Sequence, residues 1–414
     1  MNKLLSVLIL ALGLTACQSC RTRPPHQDPV SPAVVPEAGS PAVPEAGAVV
    51  PKALTVGPCT TPAQLDTDLT AASQAAVLSL SGLNPVNCPE VTMAETWSGG
   101  KLIFSDSPES PAVKAKMYED ATLAATAGTV YNRIFIYHTN GKASGKMKFA
   151  VLLKNLGTAS GTLTVQQKGV AGPSTAYLYA GKLAFQRWLQ STAAPPVSVN
   201  AGATFDMDAS IEVAAAPTYL MEGIYDYSFT QPHQITICAV DEKDVPLTVC
   251  PGLPVAARDT HNRGTFPNAD KVYDTAAGFV IDTAAGPQSF PVAGGTATDA
   301  KASGTDVTDG TPQFLGGNYG ILYRMHLATS STDGKNLGFL INPRGGAWGG
   351  ALFAAPGLTP GGKILIPDTT GSISVNTSAG VAAKYAPGAG FSAWVQFMPT
   401  GGSSFPVKFV AVPY

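Results

Sequence analysis

The sequence predicts an all-β protein of two tandem β-sandwiches, Ig-like or jelly-roll-like, behind a short N-terminal helical segment and a disordered Pro-rich tether. Three observations predict it. Short runs of β-branched and aromatic residues recur at intervals of roughly 8–15 residues, punctuated by Gly, Pro or Asn. Charged residues make up only 13% of the chain while Gly is 43 and Pro 34, a balance that suits turn-rich β structure better than a helical enzyme. Finally, the pattern of Lys148–Val165 (KFAVLLKNLGTASGTLTV), two strands joined by an Asn/Gly turn, returns roughly 190 residues later in Leu337–Phe353 (LGFLINPRGGAWGGALF).

Residues 1–16 read as a signal peptide, with Lys3 ahead of an apolar run from Leu4 to Leu14 that is too short to span a bilayer. The ending Leu14-Thr15-Ala16-Cys17 resembles the bacterial lipobox. The resemblance implies cleavage before Cys17 and lipidation of that residue, so that the chain is anchored to a membrane rather than spanning it. Gln18, in place of Asp, implies the outer membrane, with the protein facing periplasm or cell exterior. Residues 17–58 form the tether, in which SPAVVPEAG (Ser31–Gly39) and SPAVPEAG (Ser40–Gly47) nearly repeat. Proline at this density blocks helix and favours extended conformations, which would span about 130 Å.

Residues 59–92 read as a small segment closed by a disulfide. Thr61-Pro62 is a helix start, Leu65, Leu69, Ala72 and Ala76 recur at helical spacing, and Gly82 ends the run. Of six cysteines, Cys17 is assigned to lipid. Cys59–Cys88 and Cys238–Cys250 each close a local loop, which fits an oxidising compartment, and Cys20 is left over. Histidine is scarce and no CxxC pair lies outside Cys17/Cys20, so zinc is disfavoured.

The first sandwich is expected over 93–255, with Gly181–Leu189 (GKLAFQRWL) as a helix plugging one end. The second is expected over 256–414, opening with a polar connector at 256–275. The halves read as a diverged duplication. Tyr137 and Phe149–Asn155 parallel Tyr323 and Leu337–Asn342. Asn200–Phe205 parallels Pro387–Phe391, and Pro232–Cys238 parallels Phe405–Val410.

Several phrases, in order, resemble a group of secreted bacterial β-rich proteins of unassigned function. They are FSDSPE (Phe104–Glu109), Gly172-Pro-Ser174 with Tyr177–Lys182, Gly223–Asp226, Arg263–Phe266, Asn318–Gly320 and Asn342–Leu352. Some members are named for an attached copper-amine-oxidase-N-like module. The resemblance implies a secreted, two-part β protein and assigns no catalytic residue. The amine-oxidase chemistry needs a Tyr in an Asn-Tyr-Asp/Glu setting and three copper histidines, whereas Asn318-Tyr319 is followed by Gly320 and the histidines here are scattered.

With a net charge of −2 and no basic stripe, nucleic acid is excluded as a partner. Neither a G-x-S-x-G elbow nor a phosphate-binding glycine loop is present. Asp206, Asp208 and Ser210, and separately Asp299, Asp306 and Asp309, could hold a cation, but turn aspartates more commonly bond their own backbone; no metal or other cofactor is assigned. Glu222, Asp226 and Asp259 offer carboxylates for a glycosidase without choosing a pair. His138 and His326, after Tyr-containing strands of the two halves, read as strand-end caps. Two clusters are binding candidates. Arg258, His261 and Arg263 sit at the expected domain junction, either lining a site or clamping the domains. Arg344 and Trp348 sit on a Gly-rich turn that could stack on a sugar unless Trp348 packs inward. These features favour a non-catalytic module that binds or adheres to envelope polysaccharide or protein. A glycan-acting enzyme and a structural envelope or matrix component are the alternatives.

Overall fold

The computed structural model describes residues 59–126, 128–294, 299–356, 363–365, 381–385 and 391–414. The expected signal peptide and tether, with Cys17 and Cys20, lie outside the described residues.

Helix α1 (Ala63–Ala71) follows Pro62 and buries Leu65 and Leu69, one turn apart, against Leu340, Val410 and Val412. It ends well before Gly82. Beyond Leu69 its inner face offers only alanine, and Lys384 Nζ binds the terminal carbonyls of Thr70 (3.3 Å) and Ala72 (2.6 Å). The disulfides Cys59–Cys88 and Cys238–Cys250 are both formed.

The first strands are β1 (Met93–Ser98), β2 (Leu102–Ser105), β3 (Ala115–Leu123), β4 (Asn132–Thr139), β5 (Met147–Asn155) and β6 (Gly161–Ser174). Helix α2 (Tyr177–Gln190) follows, then β7 (Val197–Val199), β8 (Thr204–Asp206), β9 (Leu220–Phe229), β10 (His233–Asp241) and the single-turn α3 (Pro246–Val249). The later strands are β11 (Arg263–Phe266), β12 (Asp270–Thr275), β13 (Ile281–Asp282), β14 (Gln288–Val292), β15 (Ala302–Asp306), β16 (Thr311–Leu315) and β17 (Leu322–Ser330). The last are β18 (Leu337–Pro343), β19 (Ala351–Pro356), β20 (Lys363–Leu365), β21 (Val381–Tyr385), β22 (Phe391–Phe397) and β23 (Val407–Pro413).

These strands build an all-β fold of two sandwiches. In the first, a small sheet β3-β10-β5-β8 faces a large sheet β16-β15-β11-β2-β4-β9-β6-β7. Between them lies an apolar core that includes Met117, Ile134, Phe149, Val151, Tyr225 and Ile237. In the second, β14-β23-β18-β21 faces β1-β12-β17-β22-β19-β20, with β13 also on β17.

The duplication is visible strand by strand. The path β2-β4-β9-β6-β7 matches β12-β17-β22-β19-β20, and β3-β10-β5-β8 matches β14-β23-β18-β21. In both copies the first pair is parallel, Leu102 beside Arg133 and Asp270 beside Leu322, and the remaining pairs are antiparallel. Two of the three expected sequence parallels fall on matched strands. The third does not: Phe205 lies on β8 and Phe391 opens β22, whereas the counterpart of β8 is β21. Gly-Ala-Phe is turn-and-strand grammar that precedes any strand, so it cannot fix a match.

The two sandwiches also exchange strands across the expected boundary at 255/256. β1 pairs with β12 over Met93–Ser98 and Thr275–Asp270, so the first strand among the described residues belongs to the second sandwich. β11 pairs with β2, and β15 and β16 extend that sheet, so these later strands belong to the first.

Helix α2 does not plug the end of one sandwich. It lies on β6 and β9 on the outer face of the first large sheet and buries Phe185 and Trp188 in a core shared with the second sandwich. Gly169 makes the approach possible, because a Cβ there would stand 1.9 Å from the Ala184 carbonyl oxygen. Since β4 and β9 are covered on both faces, every residue in them is buried and the alternating pattern of a half-exposed strand is lost. Arg133 on β4 crosses this seam. It makes two bonds to Asp226 (2.7 and 2.8 Å), reaches Asp270 of the second sandwich at 3.1 Å, and donates to the Ala269 carbonyl at 2.8 Å.

Candidate functional site

Where β2 ends, the chain turns outward through Asp106–Ser110, and His138 on β4 holds the turn from beneath. The Pro108 carbonyl can only accept, so His138 Nδ1 donates to it (2.9 Å) and Nε2 accepts from Ser105 Oγ (2.8 Å). Burial pulls the His138 pKa down to about 4, so the ring is neutral at ordinary pH.

The connector after α3 is fastened to the same turn through Asp259. Its carboxylate accepts from Ser107 Oγ (2.8 Å), the Glu109 N–H (2.9 Å) and the His261 N–H (2.8 Å). Burial raises the Asp259 pKa, but these hydrogen bonds outweigh it and hold the group below the usual carboxylate range. His261 bridges the two loops, with Nδ1 3.1 Å from Asp259 and Nε2 2.6 Å from Glu109.

Between this turn and the second sandwich lies a cleft of about 260 Å³. Phe104, Asp106, Glu109, Phe135, Tyr137 and His261 form one wall; Tyr319 and the Gly401–Ser403 turn form the other. Tyr319 is held by a bond from its hydroxyl to the Ser403 carbonyl (2.7 Å) and by edge contact with Phe405. Neither lysine nor arginine is among these lining residues.

The electrostatics of the cleft are one-sided. Asp106 Oδ1 is buried with no hydrogen-bond partner among the described residues. Burial, then the charges of Glu109, Asp259 and Glu222, raises the Asp106 pKa well above the usual range. Behind Tyr137 and Gly401 stands Glu222 of β9, wholly buried and cross-strand from Tyr137. Its Oε1 accepts the Gly401 N–H at 3.2 Å, and its Oε2 has no partner among the described residues. Burial pushes the Glu222 pKa up to about 8, with the Gly401 N–H partly opposing it. Gly401 must be glycine, since a Cβ there would meet the Tyr137 ring at 2.1 Å. Burial, followed by the charges of Asp106 and Glu222, lifts the Tyr319 pKa to about 12.

Of the residues singled out in the sequence, His261 alone among the five candidate ligand-binding side chains lines this cleft. Arg263 is buried and bonds Asp306 (2.8 Å) and the Met117 (3.0 Å) and Ala256 (2.8 Å) carbonyls. Arg258 donates to Thr311 Oγ1 at 2.6 Å. Both therefore fasten the β15–β16 hairpin to the rest of the first sandwich, and these bonds do not clamp one sandwich to the other. The stacking role proposed for Trp348 is overturned: it is 1% exposed and packs on Phe397 inside the shared core. Small glycines around it let the strands close over the ring instead of presenting it. Arg344, half-buried, donates to Asn342 Oδ1 (3.3 Å) at the turn and stands apart from the cleft.

The aspartate groups weighed for cations are occupied locally. Asp208 accepts from the Ser210 N–H, Asp299 pairs Lys271 at 2.7 Å and Tyr323 at 2.9 Å, and Asp309 accepts from Thr311. Among the described residues no three His, Cys, Asp or Glu side chains converge as a metal site. Of the glycosidase carboxylates, Asp226 is consumed by Arg133, while Glu222 and Asp259 stand at or behind the cleft. Asp106, Glu109 and Tyr319 were not singled out as functional, although FSDSPE and Asn318-Tyr319 had stood out as phrases.

No family model matches the chain, and none of the curated proteins matches it. Among solved structures, the CUB1-EGF-CUB2 domain of human MASP-1/3 aligns over 78% of this chain and 100% of its own at 8% identity, with a TM-score of 0.17. The 11S allergen from Cocos nucifera L. aligns over 65% of this chain and 78% of its own at 8% identity, TM-score 0.10. The 11S globulin from Wrightia tinctoria covers 82% of this chain and 87% of its own at 9% identity, TM-score 0.09. At these TM-scores none of the three carries an argument about fold or function.

Proposed function

We propose that this chain is a non-catalytic, lipid-anchored extracytoplasmic protein that binds envelope polysaccharide in the cleft between its two sandwiches. The cleft is the observation that carries the reading. Aromatic rings flank carboxylates that still have free acceptor positions, and such a combination suits sugars, whose faces stack on rings while their hydroxyls donate. Anchoring rests on the Leu14–Cys17 motif, and outer-membrane placement on Gln18. The two disulfides support an oxidising compartment.

One feature favours an enzyme acting on glycans: Glu222 retains its proton to about pH 8, as a glycosidase acid must near neutrality. It is, however, wholly buried and does not line the cleft.

The test is retention of purified protein on the organism's isolated envelope polysaccharide, run beside solubilised envelope proteins. Retention on polysaccharide that falls in Tyr319→Ala and Glu109→Gln supports the proposal. A specific protein band with no polysaccharide retention overturns it in favour of an assembly or adhesion partner. New reducing ends in the polysaccharide would replace it with the enzymatic reading.

A further inference from the structure

We infer that the cleft recognises the ammonium group of an amino-bearing sugar, with Asp106 and Glu109 as its carboxylate partners and the rings of Tyr137 and Tyr319 as its walls. The inference rests on the polysaccharide reading above and adds the charge of the ligand.

Three observations converge on a cation. The carboxyl groups lining the cleft, Asp106 and Glu109, both come from the β2 turn, and Asp259 of the connector and Glu222 of β9 stand behind them. Among the described residues His261 is the sole basic side chain lining it, and that ring is already spanned between Glu109 and Asp259. A carboxylate oxygen, Asp106 Oδ1, is removed from water with nothing donating to it. An unmet buried acceptor is costly, more so when charged, so a donor that reaches Asp106 from the cleft is favoured. The third observation is the walls. Tyr137 and Tyr319 contribute aromatic surface beside these carboxylates, and ring faces together with carboxylates attract ammonium groups specifically.

A neutral sugar hydroxyl could donate to Asp106 but would bring no charge to oppose that of Glu109 and Asp259. An ammonium group supplies both the donor and the charge. Its arrival also favours ionisation of Asp106, which burial, and after it the charges of Glu109, Asp259 and Glu222, disfavours. Binding should therefore release protons.

The experiment is titration calorimetry of the full chain in mild detergent with three probes: glucosamine oligomers, the matching N-acetylglucosamine oligomers and lysine oligomers. Tighter binding of the glucosamine series supports the inference, provided it weakens with added salt, changes its heat with buffer ionisation enthalpy, and drops roughly 10- to 100-fold in Asp106→Asn. Since Asp106 Oδ1 makes no hydrogen bond in the fold, this variant keeps its structure, which thermal melting verifies. Equal affinity for the acetylated series overturns the ammonium and leaves the polysaccharide reading standing. Preference for lysine oligomers overturns the sugar as the source of the ammonium. Binding that survives Asp106→Asn together with Glu109→Gln overturns the placement in this cleft. Failure of all three probes, with retention on whole polysaccharide intact, overturns the ammonium alone; failure of both overturns the two readings together.

Discussion

β4 and β17 are counterparts, and each carries a histidine, His138 next to the last residue of β4 and His326 in the middle of β17, where it is no strand-end cap. His138 on β4 is wholly buried, neutral, and holds the turn that carries Asp106 and Glu109. His326 on β17 lies nearer the surface, stacked on Trp394 with Nδ1 2.9 Å from Asp274 of the neighbouring strand. The turn following β2 faces the other sandwich and leaves Asp106 Oδ1 unmet. The corresponding connection after β12 closes on itself, with Asp282 accepting from Ser330, Thr332 and the Ala284 N–H. Duplication has kept the hydrogen-bonded path of nine strands, while the side chains that could meet a ligand collect where one copy abuts the other. Strand order is set by backbone pairing and sheet burial, which tolerate wide change in sequence. An unmet polar group survives where packing keeps water from it, and at this seam the second sandwich does so.

The strongest way to break this comparison is to separate the copies. Expressed alone, 93–255 would lack β11, β15 and β16 and expose the apolar face of α2, while 256–414 would lack β1. Neither is expected to give a cooperative urea transition or near-ultraviolet circular dichroism, and one that did would show that the strand exchange is dispensable. Next in size is the seam's ion pair. Arg133→Met leaves Asp226 buried and uncompensated, at a cost of about 3–5 kcal/mol in urea unfolding. Arg324→Met, which also loses a bond to Asp270 but from a side chain 36% exposed, should cost under about 1 kcal/mol. The paired histidines follow. His138→Ala strands the Pro108 carbonyl and should cost about 1–3 kcal/mol, whereas His326→Ala should cost a few tenths.

Smaller again is the pH response of Glu222. Its folded pKa of about 8 exceeds the ordinary 4.5, so the folded state binds the extra proton between those values and stability falls as pH rises through them. His138 acts in the opposite sense, because its folded pKa of about 4 lies below the ordinary 6.5 and its contribution is lost as pH falls below that value. Above pH 6.5 only Glu222 of the two changes. Thermal unfolding should therefore show Glu222→Gln gaining about 1–2 kcal/mol on wild type between pH 6.5 and 8. A constant difference across that interval would show that Glu222 titrates normally.

Much of the fold was legible because its signals are local. Strand runs, the α2 helix, both disulfides and the repeat between Phe149–Asn155 and Leu337–Asn342 can each be read from short windows. The exchange of β1 against β11, β15 and β16 could not be read so, since pairing partners more than 150 residues apart leave no local trace. The cleft was less legible for the same reason. Asp106 with Glu109, Tyr319 and Gly401 come from three separated segments, and each alone looks like turn chemistry. Trp348 misled because a Gly-Gly-Ala-Trp-Gly-Gly stretch is equally good grammar for presenting a ring and for closing backbone over one.

The Cys59–Cys88 bond has a mechanical consequence. Tension applied to the chain ahead of residue 59 crosses the covalent bridge directly to residue 88 and bypasses α1 entirely. The load then enters β1, which runs antiparallel along β12 through six paired positions, and is resisted by the whole ladder in shear instead of unzipping bond by bond. Because β1 belongs to the second sandwich, the pull is taken up there, and the turn bearing Asp106 and Glu109 on the first sandwich lies off the line of force.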